Sequence, residues 1–130
     1  MSDLRPEGTS IQMGGRNRKI LLSIEAIDAI QSTTNLPLLD AIMRVAQVAD
    51  GNTYGEDGEN MKVFGKVLLA EMLAAGEKVK AEDINRIKYK EIGGIATGIL
   101  KEFGVATPEE EEDEDDDDED EDSPKEESEA

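Results

Sequence analysis

The loop at residues 50–60, DGNTYGEDGEN, is the first place where residue types and spacing suggest ligand chemistry, because it offers carboxylate and amide oxygens between two predicted helices. Calcium takes about six to eight such oxygens, and an EF-hand alignment would put Asp50 first and Gly55 at the turn. Tyr54 then stands where Asp or Asn is needed, and Met61 stands where a bidentate Glu closes the shell. We therefore expect a solvated acidic turn here and no metal site.

Residues 93–98, GGIATG, have the glycine spacing of a phosphate-binding loop. Ile99 and Leu100 follow in place of the required Lys and Ser or Thr, and no buried strand precedes the glycines. We expect these glycines to permit close helix packing or a kink, and we expect no cofactor.

General acid–base chemistry lacks its usual residues, because the chain contains neither His nor Cys. Acids such as Glu25, Asp28, Asp40 and Glu71 fall on the polar sides of predicted helices, where a carboxyl is solvated, whereas a catalytic carboxyl needs a buried setting. The sequence thus predicts no catalytic residue, and we expect a protein that is not an enzyme.

The elements that would carry these residues are helices, and the length of the chain favours one small domain. Ser23 is a plausible N-cap, and Gly76 and Gly104 are natural helix stops. Predicted helices cover about 23–34, 37–48, 59–75, 81–88 and 90–103. Their predicted buried stripes begin with Ile24, Ile27 and Ile30 in the first helix and with Leu38, Leu39 and Ile42 in the second.

The predicted fold class is mainly α, a small bundle of four or five helices spanning residues 19–104. Residues 1–18 contain Pro6 and three glycines and are interpreted as a flexible N-terminal segment. Residues 19–23, KILLS, fit either one short strand or the approach to a helix. The chain has no run of about 20 apolar residues and no signal-peptide core, so we expect no membrane contact and a cytoplasmic location.

The C-terminal part, residues 105–130, contains fourteen consecutive carboxylates at 109–122. Residues 109–130 hold 17 acids and one base, whereas the preceding 108 residues hold 15 acids and 13 bases. Such a block repels itself and buries no apolar surface, so we expect a disordered acidic tail. Its predicted partner-binding residues are Glu109, Glu112, Asp115, Asp118 and Asp122.

Nucleic acid is not an expected partner, because phosphate contacts need a basic footprint. The bases form one N-terminal cluster and a second group at residues 78–90, and four scattered aromatics offer no stacking platform. The remaining interpretations of the tail are a surface that binds or shields a partner and a simple solubility appendage.

The order of elements resembles the tail assembly chaperones of long-tailed bacteriophages and prophages. The similarity rests on residues 20–30, ILLSIEAIDAI, on 33–42, TTNLPLLDAI, on a leucine-rich helix at 67–73 and on 81–87, AEDINRI, and it covers about residues 19–104. The acidic pair often found in the first helix of that family is here Gln31-Ser32.

The resemblance implies a non-enzymatic protein of the host cytoplasm, absent from the mature virion. It would keep the tape-measure protein soluble and help tail-tube protein assemble around it. An alternative is an acidic-tailed chaperone or antagonist of a basic nucleic-acid-binding protein, with the tail as a DNA mimic. A third is a structural component of the particle.

Overall fold

A computed structural model describes residues 8–104 of the chain, which form a two-stranded antiparallel sheet and five helices. In chain order these are β1 (Thr9–Met13), β2 (Arg16–Ile20), α1 (Ile24–Thr34), α2 (Leu38–Ala49), α3 (Asn60–Ala74), α4 (Ala81–Asn85) and α5 (Tyr89–Phe103). The predicted fold class, a small and mainly helical bundle, is confirmed. The predicted disorder at 105–130 lies outside the described residues.

The N-terminal segment differs from the prediction, because residues 9–20 form a β-hairpin where flexibility was expected up to residue 18. Gly14 and Gly15 both have positive φ, as a two-residue turn between twisted strands requires. The glycine pair between TSIQM and RNRKI is a hairpin signal in itself. Ile11 and Met13 are buried on one face of β1, which packs against α5.

Three glutamates from the helical part of the chain hold this hairpin in place. Glu91 accepts hydrogen bonds from the Gly14 and Gly15 backbone N–H groups at 3.1 and 3.2 Å. Glu77 accepts from the Lys19 N–H at 3.0 Å, and Glu102 accepts from the Leu22 N–H at 2.8 Å. Each bond satisfies a backbone donor that the two-stranded sheet leaves free.

Helix α3 is the centre of the bundle. It contacts α1, α2, α4 and β2, and its buried residues lie on several sides: Val63, Phe64, Val67, Leu68, Ala70 and Met72. It ends in a Schellman motif, in which the Gly76 N–H donates to the Leu73 carbonyl and the Glu77 N–H to the Met72 carbonyl. This turn delivers Glu77 to the hairpin.

Two residues predicted to be buried are exposed. Ile24 is 86% exposed, because it is the first residue of α1 and lies beyond the packed stripe. Leu39 is 60% exposed, because α2 packs through Ala41, Val45 and Val48, which lie on the opposite side of the helix. The predicted N-cap at Ser23 is present, and its hydroxyl accepts the Ala26 N–H at 3.2 Å.

The glycines of residues 93–98 have separate roles within an uninterrupted α5. A Cβ at Gly98 would lie 2.6 Å from Ile11 Cγ2, so this glycine permits close packing of β1 on α5. Gly93 and Gly94 are exposed, and a Cβ at either position would meet no neighbouring atom within 4 Å. Close packing is thus confirmed for Gly98, and no kink occurs.

We expect opposite effects from two substitutions in the same helix. Gly94→Ala should raise the free energy of unfolding by about 1 kcal/mol through helix propensity. Gly98→Ala should lower it by about 1 to 3 kcal/mol, because the new methyl overpacks against the β-branched Ile11. Urea unfolding followed by circular dichroism measures both, and equal effects at the two positions would contradict the close contact.

Candidate interaction surfaces

Three features of the described residues could bind a ligand or take part in chemistry. They are a carboxyl pair with one buried member, a basic cavity and an apolar groove. The predicted partner-binding residues Glu109, Glu112, Asp115, Asp118 and Asp122 lie outside the described part of the chain. Of the four body acids expected to be solvated, Glu25, Asp28 and Asp40 are exposed. Glu71 is completely buried, and that prediction was wrong.

Glu71 is buried because other elements cover α3 on nearly every side. On a helix at the surface the same position would face water, but here it faces the core. Among residues 8–104, neither carboxyl oxygen has a hydrogen-bond partner. Burial, followed by the nearby charge of Glu102, raises the pKa of Glu71 to about 8. The carboxyl is therefore mostly protonated at neutral pH, which avoids the large cost of burying an unpaired charge.

Glu102, the second member of the pair, is only partly buried. Its two oxygens accept hydrogen bonds from the Thr9 hydroxyl at 2.7 Å and the Leu22 N–H at 2.8 Å. Two carboxyls with different environments resemble an acid–base pair. Here, however, Glu71 has no solvent-accessible surface, so a substrate cannot reach it, and the pair has a structural role.

The basic cavity lies between the hairpin turn, the end of α3 and α4, with a volume of about 690 Å³. Its charged lining residues are Arg16, Arg18, Glu77, Lys78, Asp83 and Arg86. The fold brings Arg16 and Arg18 together with two bases of the group at 78–90, which is far away in the sequence. Because these residues are distant in the sequence, no local sequence pattern predicted the cavity.

Both carboxylates of this cavity already have partners. Glu77 Oε1 lies 2.6 Å from Arg18 Nε, and this hydrogen bond is the main cause that holds the pKa of Glu77 below its usual value. Asp83 accepts the Lys80 N–H at 2.9 Å and so caps α4. Among residues 8–104, no carboxylate lies within ion-pair distance of Arg16, Lys78 or Arg86.

The apolar groove runs between α3 and α4. Two adjoining cavities of about 210 and 270 Å³ share Met61, Gly65 and Ile84. Leu69 and Ile87 add to the apolar lining, and both are half-buried, as are Met61 and Ile84. Gly65 leaves space at the bottom of the groove, since a Cβ there would lie 3.3 Å from Ile84 Cγ2. Lys62 and Lys66 form a basic rim.

A separate apolar feature is the outer surface of α2. Leu39 and Met43 are 60% and 57% exposed and lie one helical turn apart. They form an exposed apolar pair, whereas the groove is concave and therefore the better-shaped site for an inserted side chain.

The oxygen-rich loop at residues 50–60 uses its polar groups internally. Asp57 pairs with Arg44 through two hydrogen bonds, of 2.7 and 2.9 Å, and this guanidinium lowers the pKa of Asp57 to about 2. Fully buried Asn60 donates to Gln47 Oε1 at 2.9 Å and to the Asn52 carbonyl at 3.0 Å. Within residues 8–104, no three Asp or Glu side chains converge as metal ligands would.

Comparison of the chain with protein-family models, with curated proteins and with solved structures found no match. In the part of the chain that the structure describes, no helix is both long and apolar enough to cross a membrane.

The buried carboxyl makes stability depend on pH in a definite direction. Glu71 binds a proton up to about pH 8 in the folded state, but only up to about pH 4.5 when unfolded. The folded state therefore holds more protons between these values, and stability falls as pH rises, by at most about 1.4 kcal/mol per pH unit. Glu71→Gln should remove this loss, so its stability relative to wild type should increase from about pH 5 to about pH 8.

Urea unfolding at several pH values measures the difference between the two proteins, in which the titration of the other acids cancels. Glu25→Gln, a change at an exposed position of α1, is the matched control and should follow the wild-type curve. A Glu71→Gln curve parallel to wild type would show that Glu71 is ionised in the folded protein.

Proposed function

We propose that this protein is a non-enzymatic chaperone of bacteriophage tail assembly, which keeps a tape-measure protein soluble and promotes assembly of the tail tube. The observation that carries the proposal is the apolar groove between α3 and α4. A second support is the acidic run at 109–122 in the same chain, and a third is the resemblance of residues 19–104 to that family.

The groove suits a helical ligand better than an extended one. It follows α3 for about two turns, from Met61 to Leu69, so apolar side chains at positions i, i+4 and i+8 of a partner helix match its length. Apolar anchors of an amphipathic helix bind such grooves at i and i+3 or i+4 spacing. Tape-measure proteins are long and helical, and their exposed apolar stripes require cover before assembly.

The acidic run supplies the second requirement of a holder, which is to keep the loaded complex dispersed. A block of −14 charge repels other copies of the complex over about 10 Å at 0.1 M salt. In this proposal the protein acts in the host cytoplasm and leaves before the particle matures. Purified particles should then lack it.

Co-expression with a phage tape-measure protein tests the groove. Wild type should increase the soluble fraction of that partner. Met61→Ser/Leu69→Ser should lose most of the increase, because two apolar walls of the groove are removed. Leu39→Ser/Met43→Ser, which removes equal apolar bulk from α2, should retain it.

Thermal unfolding of both double variants separates lost binding from lost folding. Retained chaperoning by the folded groove variant would overturn the groove assignment, and no effect of wild type on solubility would overturn the function. Deletion of residues 109–130 should reduce the increase at low salt but leave binding to the groove. If binding instead depends on the acidic run alone, the nucleic-acid-mimic alternative is favoured.

A further inference from the structure

The basic cavity beside the hairpin has no role in the proposed function, and its positive charge is incompletely neutralised. Arg18 is paired with Glu77, whose charge also attracts Arg16. Among the described residues, no carboxylate lies within ion-pair distance of Arg16, Lys78 or Arg86. Four bases and two carboxylates line about 690 Å³ of open space, so the cavity has a surplus of two positive charges and suits an extended anion.

The rest of the described body has the opposite charge. Residues 24–74 contain eight acids and three bases, whereas residues 8–23 and 75–104 together contain nine bases and five acids. A polyanion attached to this body is therefore repelled by one part of it and attracted by the part that contains the hairpin and α4.

The chain itself carries a polyanion within reach. Glu91, in the first turn of α5, bonds to the hairpin turn next to the cavity, while Glu102, in the last turn, bonds to the other end of the hairpin. The end of α5 therefore lies about 22 Å from the cavity, the length of a 15-residue helix. From Gly104 to Asp122 the chain spans at most about 60 Å, so the middle of the acidic run reaches the cavity without full extension.

We propose that the acidic run 109–122 folds back on its own chain and occupies the cavity at Arg16, Lys78 and Arg86. Several carboxylates replace one another at three cations, so the contact is dynamic and needs no fixed register. Tethering gives the run a high effective concentration that a free anion of the same chemistry does not have. A docked run competes with nucleic acid and with acidic proteins for these cations.

Paramagnetic relaxation tests this contact in the full-length protein. The chain has no cysteine, so Ser123→Cys accepts a single spin label directly after the acidic run. At 0.1 M salt the label should broaden the amide resonances of Gly14, Gly15 and Gly76 around the cavity. At 1 M salt, where the screening length falls from about 10 to about 3 Å, these resonances should recover.

Charge reversal identifies the docking site. Arg16→Glu/Arg86→Glu should abolish the broadening at low salt. Lys62→Glu/Lys66→Glu changes the net charge equally on the exposed side of α3 and should leave it unchanged. Broadening that survives the first pair, or that is lost equally with the second, would overturn the assignment. The chemical shifts of the glycine amides show whether each variant is folded. If Arg16→Glu/Arg86→Glu unfolds, Lys78→Glu and the salt titration of the wild type take its place.

A mixed sample distinguishes the acidic run of the same chain from that of a second copy. It contains isotope-labelled protein without a spin label and unlabelled protein that carries one. The proposal requires broadening within one chain and little in the mixture. Equal broadening in the mixture would assign the cavity to the acidic run of a second copy and overturn intramolecular docking. Complete absence of broadening at low salt would overturn docking of either kind.

A competition measurement tests whether the tethered acidic run occupies the cavity. With the acids at 109–122 changed to Asn and Gln, the full-length protein should bind a synthetic polyglutamate peptide at least about tenfold more tightly than wild type does, because the tethered competitor is gone. Equal affinities of the two proteins for the peptide would show that the acidic run does not occupy the cavity in the wild type.

Discussion

Enclosure of α3 by α1, α2, α4 and the hairpin is the constraint on which the rest of the structure depends. With a mostly aliphatic core and few aromatics, a chain of this size relies on one helix that buries residues on several sides, each large side chain worth about 1.5 to 3 kcal/mol. The same enclosure buries Glu71, and this burial favours the protonated form of its carboxyl. Because the carboxyl is inaccessible, its shifted pKa concerns stability and not chemistry.

The hairpin depends on charge as much as on apolar contact. Ile11 and Met13 pack on α5, yet the backbone donors at the turn, in β2 and just after β2 are met by Glu91, Glu77 and Glu102. A two-stranded sheet is marginal in water by itself, so these carboxylates compensate for missing neighbouring strands. Their position also draws Arg16 and Arg18 to the same side as α4, and this is how the basic cavity arises.

The proposed chaperone and the proposed internal docking use different faces of α4. The groove with α3 is apolar and insensitive to salt, whereas the cavity at the hairpin is cationic and screened by salt. A partner segment in the groove and the acidic run in the cavity can therefore be present together. Occupation of the cavity would leave part of the run free, so the loaded complex keeps its repulsive charge.

Much of this protein is determined by local sequence. Ser23, Gly76 and Gly104 bound helices by their own backbone and capping chemistry, and the stripes of α3 and α5 follow the helical period, so these elements were predictable. The division between a nearly neutral body and an anionic run is also a property of the sequence alone. Burial of Glu71, exposure of Ile24 and Leu39, and the meeting of Arg16 with Arg86 were decided only by tertiary structure. Each depends on which faces of separate elements meet, and residues distant along the chain carry no local signal of that meeting.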